Sequence, residues 1–150
     1  QMRTPHRQPS RSKVVYSLPG VRYLLTAVRN PLYATPEKSY TQAGLCALRR
    51  KDDEEAMTNL ERALKLQPNY LAAMLPLAQI RYRRGELDEA RSIVVQFNRL
   101  VEPNSESLWL ALRIERRLGD RAAETGYAEQ LRRRFPASRE YQSLQKGVYE

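Results

Sequence analysis

The fold is decided by residues 37–69, which read EKSYTQAGLCALRRKDDEEAMTNLERALKLQPN. In the first half, small and apolar residues recur every three or four positions, at Tyr40, Ala43, Gly44, Ala47 and Leu48. The second half repeats this spacing at Ala56, Met57, Leu60, Ala63 and Leu64. Such spacing places side chains on one face of a helix. Because polar residues 51–53 separate the halves and Pro68 closes the stretch, we predict two helices joined by a short turn, an αα-hairpin.

Two small residues predict where the helices of this hairpin approach most closely. Gly44 and Ala56 lie at the expected crossing, where a side chain larger than a methyl group would hold the two backbones apart. Overpacking of this kind typically costs about 1–3 kcal/mol. A single hairpin would fit a piece of any helical bundle equally well, so the assignment depends on whether the pattern recurs.

The pattern recurs at an interval of 34 residues. Lys51 is followed at this interval by Gly85 and Gly119, and Ala56 is followed by Ala90. Glycine suits a turn between helices because it adopts left-handed backbone conformations at little cost. The closing prolines keep the interval to within one residue, at Pro68, Pro103 and Pro136. Paired helices at this interval resemble tetratricopeptide repeats.

We therefore predict an all-α fold, an αα-hairpin solenoid with about three repeats and a C-terminal capping helix. Residues 1–20 are rich in proline and arginine, which predicts an irregular basic arm. Residues 21–150 form the predicted repeat domain. Its predicted divisions are a partial repeat and linker over 21–34, repeats over 35–69, 70–103 and 104–136, and a cap over 137–150.

Several residues predict how the helices begin and how the last one packs. Four residues each precede a helix and can cap its first turn through a side-chain oxygen: Thr35, Asn69, Asn104 and Ser138. Pro76 falls inside the first helix of the second repeat, where it either kinks the helix or lies close enough to the first turn to be tolerated. In the final helix we expect three residues to face inward, Tyr141, Leu144 and Val148.

Composition limits the functions that the chain can have. The 26 basic and 17 acidic residues give a net charge of +9. This charge suggests an acidic partner, nucleic acid or an anionic membrane surface, although a solvated arginine-rich surface accounts for it as well. The sequence contains no apolar run of membrane-spanning length and no visible signal peptide. The single cysteine rules out an internal disulfide framework and a cysteine-based zinc site.

The sequence indicates binding rather than catalysis. It contains no glycine-rich phosphate loop, no histidine beside a nucleophile and no HExxH or CxxC motif. We therefore predict no enzymatic activity, no cofactor and no metal site. A solenoid instead offers a concave groove, lined by the first helix of each repeat. Repeat position assigns nine residues to the predicted groove: Thr41, Leu45, Leu48, Leu75, Gln79, Tyr82, Trp109, Arg113 and Arg116.

The predicted groove favours a peptide as its ligand. Leu75, Tyr82 and Trp109 would form an apolar strip that ends in arginine, which suits an amphipathic or extended peptide. Trp109 fits the groove and the helix core equally well. The basic clusters at 81–84 and 132–134 lack the interleaved aromatic side chains that sequence-tolerant nucleic-acid binding uses for stacking. We therefore interpret these clusters as solvated helix ends, and nucleic acid is not the favoured partner.

Four segments carry a resemblance to a known family, and the first and the last of them are more specific than the repeat pattern. They are Asn30-Pro31-Leu32-Tyr33 before Pro36, Ala43-Gly44-Leu45-Cys46, Leu118-Gly119-Asp120, and an ending from Gln130-Leu131 through Phe135-Pro136-Ala137-Ser138 to Glu140-Tyr141. On these residues the chain resembles the PilF/PilW family, the type IV pilus biogenesis and stability lipoproteins with tetratricopeptide repeats. The resemblance spans roughly residues 24–145 and corresponds to the C-terminal half of the family.

The resemblance implies a periplasmic scaffold, lipid-anchored to the outer membrane, that helps the pilus secretin to localise and multimerise. The family's signal peptide, lipid-bearing cysteine and first repeats are absent from this chain, so contact with the membrane would come only through an anchor that it lacks. The resemblance also implies that a cysteine matching Cys46 has its disulfide partner on the preceding repeat. Without that partner, we expect Cys46 to be a buried free thiol. Because similarity begins abruptly within a repeat, we hypothesise that residues 1 to about 20 are not native family sequence.

Two other functions stay open at this stage. A generic cytoplasmic peptide-binding adaptor is favoured by the lack of a visible signal peptide, and a basic helical-repeat binder of nucleic acid is favoured by the charge of +9. A salt titration separates the second, because phosphate binding weakens steeply with salt whereas an apolar groove hardly responds. The partner predicted first is a protein, the pilus secretin or another pilus-assembly component, with no small-molecule substrate.

Overall fold

The structure is a computed structural model that describes residues 35–150. Within this range the chain forms α1 (Pro36–Arg49), α2 (Asp53–Leu66), α3 (Leu71–Arg83), α4 (Leu87–Leu100), α5 (Ser105–Leu118), α6 (Arg121–Arg134) and α7 (Arg139–Lys146). The predicted all-α fold is confirmed. The predicted basic arm over 1–20 and the partial repeat over 21–34 lie outside the described residues.

The helices pack in the order expected of stacked hairpins. The most extensive contacts join α1 to α2, α3 to α4 and α5 to α6, which are the two helices of each predicted repeat. Successive hairpins stack through contacts of α2 with α3 and of α4 with α5. The first helices also touch their counterparts in the next repeat, and α7 packs on α5 and α6. The first helices of the three repeats therefore lie side by side.

The turn inside each hairpin closes in the same way. After α1, the backbone N–H groups of Lys51 and Asp52 each donate to a carbonyl of the preceding turn at 2.9 Å. This pair of bonds is the Schellman motif, which requires one residue with left-handed backbone angles. That residue is Lys51 with φ 61°, and 34 and 68 positions later it is Gly85 with φ 78° and Gly119 with φ 84°. The interval predicted from the sequence is therefore the interval of the turns.

The predicted close crossing of α1 and α2 is confirmed at Gly44. A Cβ atom on this residue would lie 2.8 Å from Cγ of Leu60 and 3.2 Å from the carbonyl oxygen of Ala56. Both distances are shorter than ordinary van der Waals contact, so the two backbones approach each other here because the side chain is a hydrogen atom. Ala56 and Leu60 are themselves fully buried.

The core is divided into three clusters along the stack. The first fills the space between α1, α2 and α3 around Leu60 and Ile80. The second lies between α3, α4 and α5 and includes Val94 and Ile114. The third joins α5 and α6 to α7 through four buried residues, Leu108, Trp109, Leu112 and Leu131. Each hairpin buries its apolar face on a neighbour, as expected for a solenoid.

Two of the four predicted helix caps are confirmed. Thr35 holds the cap position before α1, but its side chain makes no cap hydrogen bond. The Asn104 side chain accepts from the Ser107 backbone N–H at 2.8 Å, and the Ser107 hydroxyl oxygen accepts from the Asn104 N–H at 3.1 Å. Ser138 caps α7 through its hydroxyl oxygen. The prediction for Asn69 is wrong, because Tyr70 holds the cap position before α3 and makes no side-chain cap hydrogen bond. The helix begins one residue too late for Asn69 to reach it.

Two further expectations differ in outcome. Pro76 is the sixth residue of α3, beyond the first turn, so the alternative that placed it near the helix start is wrong. Tyr141 and Leu144 pack on the third core cluster as predicted. Val148 does not face inward, since 51% of its surface is exposed. The reason is that α7 ends in a left-handed turn at Gly147, which takes the chain out of the helix before Val148.

Candidate functional site

The nine residues predicted to line the groove lie three each on α1, α3 and α5. Burial separates them into three classes. Four are buried, Thr41, Leu75, Tyr82 and Trp109. Four are half-buried, Leu45, Leu48, Gln79 and Arg113. Arg116 is exposed. The polar edge of the predicted groove is therefore accessible, whereas all three residues of its apolar strip, Leu75, Tyr82 and Trp109, are covered by neighbouring side chains.

Two buried members make their contacts inside the repeat stack. The Thr41 hydroxyl donates a hydrogen bond to the carbonyl oxygen of Glu37 in the same helix at 2.8 Å. Leu75 belongs to the second core cluster, beside Tyr82. Each of these side chains contributes to packing of the first helices rather than to an open surface.

A shallow depression joins the first two repeats. It has a volume of about 490 Å³ and is lined by Leu48, Lys51, Asp53, Gln79 and Arg83. Gln79 also donates a hydrogen bond to the Glu106 carboxylate of α5 at 2.7 Å. Leu48 and Gln79 are thus brought together as predicted, on a polar surface that runs across all three first helices.

A ladder of arginine and aromatic side chains joins the second and third repeats. Cζ of Arg113 lies 5.0 Å from the ring centroid of Tyr82 and 5.5 Å from that of Trp109. Arg117 approaches the same Tyr82 ring at 5.0 Å and donates to the Tyr82 carbonyl oxygen at 3.0 Å. A guanidinium within about 6 Å of an aromatic ring is attracted by the ring quadrupole. Three of the predicted groove residues therefore form one continuous contact.

The sequence analysis missed one aromatic residue of this ladder, Tyr149. Its ring stacks on Trp109 with centroids 5.7 Å apart and planes inclined by 16°. Cζ of Arg116 lies 3.9 Å from the Tyr149 centroid. The only signal in the sequence is that an aromatic residue follows Gly147, the glycine that ends α7, by two positions. That signal indicates a change of chain direction but not where the ring will bind.

Arg113 is the most strongly desolvated cation of the ladder. Burial lowers its pKa, while the negative charges of Glu150 and Glu106 act in the opposite direction. Its Nε atom is buried and has no hydrogen-bond partner among residues 35–150. A charged donor held out of water in this way gains more than an exposed one when an anion accepts its hydrogen bond.

The charge on the rest of the described surface is largely paired. Six of the 26 basic residues and none of the 17 acidic residues precede residue 35, which leaves 20 basic against 17 acidic residues in the described range. Residues 81–84 contribute three arginines that pair with carboxylates of α2 and of Glu86. Residues 132–134 pair with Glu129 and Glu102. Both basic clusters thus face carboxylates of this same chain.

Cys46, predicted to be a buried free thiol, is free and half-buried. Its sulfur accepts a hydrogen bond from Nη2 of Arg49 at 3.1 Å. Across residues 35–150 there is no group of three or more histidine, cysteine or acidic side chains that could hold a metal ion. Of the helices that the structure describes, none combines the length and the apolar character needed to cross a bilayer.

The repeat geometry agrees with a family match. The sequence profile of the tetratricopeptide repeat family matches residues 47–112, from the end of α1 into α5. Together with the paired hairpins, this makes residues 47–112 a tetratricopeptide-repeat region.

The comparison with individual proteins is more specific. The type IV pilus assembly protein PilF of Pseudomonas aeruginosa PAO1 is 31% identical over 122 residues, which cover 81% of this chain and 48% of PilF. A structure of P. aeruginosa PilF superposes with a TM-score of 0.77 at 30% identity, over 85% of this chain and 57% of that one. A crystal structure of PilW, described as a widely conserved type IV pilus biogenesis factor, gives 0.75 at 28% identity over 83% and 57%. The chain is therefore related to the PilF/PilW type IV pilus assembly proteins over most of its length, and it spans about half the length of these relatives.

Proposed function

We propose that this chain is a non-enzymatic protein-interaction scaffold for type IV pilus biogenesis, which supports localisation and multimerisation of the outer-membrane secretin. The observation that supports this most directly is its similarity in sequence and fold to PilF and PilW over more than four fifths of its length. In this proposal the partner is the secretin or another pilus-assembly component. The place of action is the periplasmic face of the outer membrane.

The described surface supports a protein partner more than a nucleic acid. The first helices present a half-buried polar strip with Gln79 and Arg113 beside buried aromatic rings. Such a mixture of aromatic and arginine side chains is enriched where proteins bind proteins. The near balance of basic and acidic residues in the described range, with its basic clusters in ion pairs, does not favour phosphate binding.

The proposal is tested by deleting the gene for this protein in its source cell and measuring the secretin. We expect the fraction of secretin in detergent-resistant multimers to fall and its outer-membrane fraction to decrease. Re-expression of the wild-type protein should restore both. Unchanged multimers and unchanged localisation after deletion would rule out the proposed role.

A pair of surface variants then tests which face is used. Arg116→Ala removes an exposed side chain at the edge of the predicted groove, whereas Arg99→Ala removes another exposed arginine, in the last turn of α4. We expect the first variant to restore secretin multimers less well than the second, at equal protein levels. Equal restoration by both would show that the partner binds elsewhere.

A further inference from the structure

The segment after α7 occupies the end of the predicted groove. Helix α7 ends at Lys146, and Gly147 reverses the backbone through a Schellman turn in which the Val148 N–H donates to the Ser143 carbonyl at 2.9 Å. Val148 is mostly exposed, and the ring of Tyr149 stacks on Trp109. The segment is thus held to α5 chiefly through one aromatic side chain.

The surface beneath this segment offers two different chemistries side by side. Trp109 and Arg116 provide an aromatic face and a cation, which together bind the flat ring of Tyr149. Arg113 provides a desolvated guanidinium whose Nε has no hydrogen-bond partner among the described residues. Glu150 follows Tyr149 directly in the chain, and its negative charge raises the pKa of Arg113 against the effect of burial. An aromatic residue followed by an acidic one therefore matches the surface in order and in charge.

Packing on the core explains only part of the position of Tyr149. Its ring packs on the third core cluster beside Tyr141 and Leu144, as expected of a segment that caps a solenoid. The same ring also stacks on Trp109 and lies 3.9 Å from Cζ of the exposed Arg116. Tyr149 therefore contacts a charged aromatic surface as well as the core.

We propose that Trp109, Arg113 and Arg116 form a receptor site for a partner segment in which an aromatic residue is followed by an acidic one, and that Tyr149 occupies the aromatic part of this site until such a segment replaces it. The inference rests on the proposed function as a protein-interaction scaffold, since it specifies the partner segment that the scaffold recognises. Tyr149 then competes with the partner segment for the site and lowers the apparent affinity of the partner.

The strength of this competition follows from the contacts of Tyr149. A stacked aromatic pair together with a cation over the ring favours the closed arrangement by roughly five- to seventyfold. A partner that binds only the open site loses apparent affinity by the fraction of open molecules. Removing the Tyr149 ring should therefore tighten binding of an external segment by at least about fivefold.

The test uses the full 150-residue chain and a fluorescent peptide, Ser-Gly-Val-Tyr-Glu-Gly-Ser, with its affinity measured by fluorescence anisotropy. Tyr149→Ala should bind this peptide at least about fivefold more tightly than the wild type. Val148→Ala is the matched control, because it truncates the exposed neighbouring side chain and should leave affinity unchanged. Tyr149→Phe keeps the ring and should also bind like the wild type.

Two changes of the peptide test the chemistry of the site. Replacing its tyrosine by alanine, or its glutamate by glutamine, should weaken binding to the Tyr149→Ala protein by about tenfold. In Arg113→Gln the preference for glutamate over glutamine should disappear. Because Trp109 is the single tryptophan of the chain, its emission reports occupancy of the site directly. In the wild type, the Tyr-Glu peptide should change this emission at about tenfold lower concentration than the Tyr-Gln peptide does.

The inference is overturned if Tyr149→Ala, with unchanged circular dichroism, binds the peptide no more tightly than the wild type. Should that variant lose its helical structure, an equal response of wild-type Trp109 emission to both peptides overturns it instead. Its failure is separable from that of the proposed function. Normal secretin assembly without peptide preference refutes only this inference, and peptide preference without any effect of gene deletion on the secretin refutes only the pilus role.

Discussion

Arg91 of α4 and Glu115 of α5 form a two-point ion pair across the junction between the second and third repeats. Nε of Arg91 lies 2.8 Å from Oε1 of Glu115, and Nη2 lies 2.6 Å from Oε2. Glu115 is only 5% exposed, while the arginine side chain retains 38% of its surface in solvent. The negative charge of Glu115 is thus buried inside the repeat junction. It is balanced by the positive charge of Arg91, whose side chain is partly exposed.

Replacing Arg91 by methionine should destabilise the protein more than the loss of a surface ion pair does. The Glu115 carboxylate would stay buried without its partner, which costs about 1–3 kcal/mol. In Arg133→Met the partner Glu129 keeps 41% of its side-chain surface in solvent, so the expected loss is much smaller. Chemical denaturation of both variants measures the two free energies of unfolding. Equal values would show that solvent reaches Glu115 well enough to replace the arginine.

Two glycines in helices predict opposite effects of the same substitution. In Gly44→Ala the new methyl group would meet Leu60 at 2.8 Å and the Ala56 carbonyl at 3.2 Å, and overpacking costs about 1–3 kcal/mol. Because Cγ of Leu60 and a backbone oxygen cannot easily move away, we expect a cost in the upper part of this range, above the gain of about 1 kcal/mol in helix propensity. A Cβ on Gly126 meets nothing within 4 Å, so Gly126→Ala should gain the propensity alone.

We therefore expect Gly44→Ala to lower the melting temperature and Gly126→Ala to raise it, both measured by circular dichroism. The two variants serve as controls for each other because the residue change is the same and each lies within a 14-residue helix. A rise in both melting temperatures would mean that α1 and α2 can move apart at their crossing without loss of packing.

Lys51 occupies a turn position at which the other two repeats have glycine. Its φ of 61° is left-handed, and a side chain makes this conformation unfavourable. Lys51→Gly should therefore raise the free energy of unfolding by about 0.5–1 kcal/mol. This net value is the relief of strain in the folded state minus the cost of the larger backbone entropy that glycine gives the unfolded chain. Gln42→Gly, an exposed position inside α1, should instead lose about 1 kcal/mol. Urea denaturation that shows a loss in both variants would contradict the assignment of strain to Lys51.

The repeat architecture could be predicted because its determinants are local. The interval from Lys51 to Gly85 and Gly119 marks turns that each close by hydrogen bonds within a few residues. Gly44 reports the closest crossing because only a missing side chain allows it. A helix cap is also a local contact, so Asn104 could be predicted as one. The prediction for Asn69 is wrong because α3 begins one residue later, and one residue decides whether a side chain reaches the first turn.

The candidate site could be predicted only in part because its completion is not local. The repeat position of Trp109 places it on the first helix of the third repeat, but it cannot say what covers the ring. The cover is Tyr149, 40 residues further along the chain and outside any helix. The orientation of Arg113 between Tyr82 and Trp109 likewise depends on how two repeats stack. Periodicity identifies faces, whereas side-chain partners depend on the assembled stack.

The carboxyl group of Glu129 should titrate far below its ordinary range. Hydrogen bonds from Arg132 and then from Arg133 lower its pKa from 4.5 to about 2. Nε of Arg132 lies 3.1 Å from Oε2, and Nε of Arg133 lies 3.0 Å from Oε1. Since the pKa is lower in the folded state, these contacts stabilise the fold above about pH 4.5. Their contribution is lost as the pH falls from there through about 2.

An NMR titration of the Glu129 side chain measures this pKa directly. Arg132→Ala should raise it toward 4.5 by more than Arg133→Ala does, because the hydrogen bond from Arg132 is the largest cause of the shift. The pair is exposed, so high salt should also raise the pKa by screening the charges. A wild-type pKa close to 4.5 at low salt would mean that the arginines at the end of α6 point into solvent instead of holding Glu129.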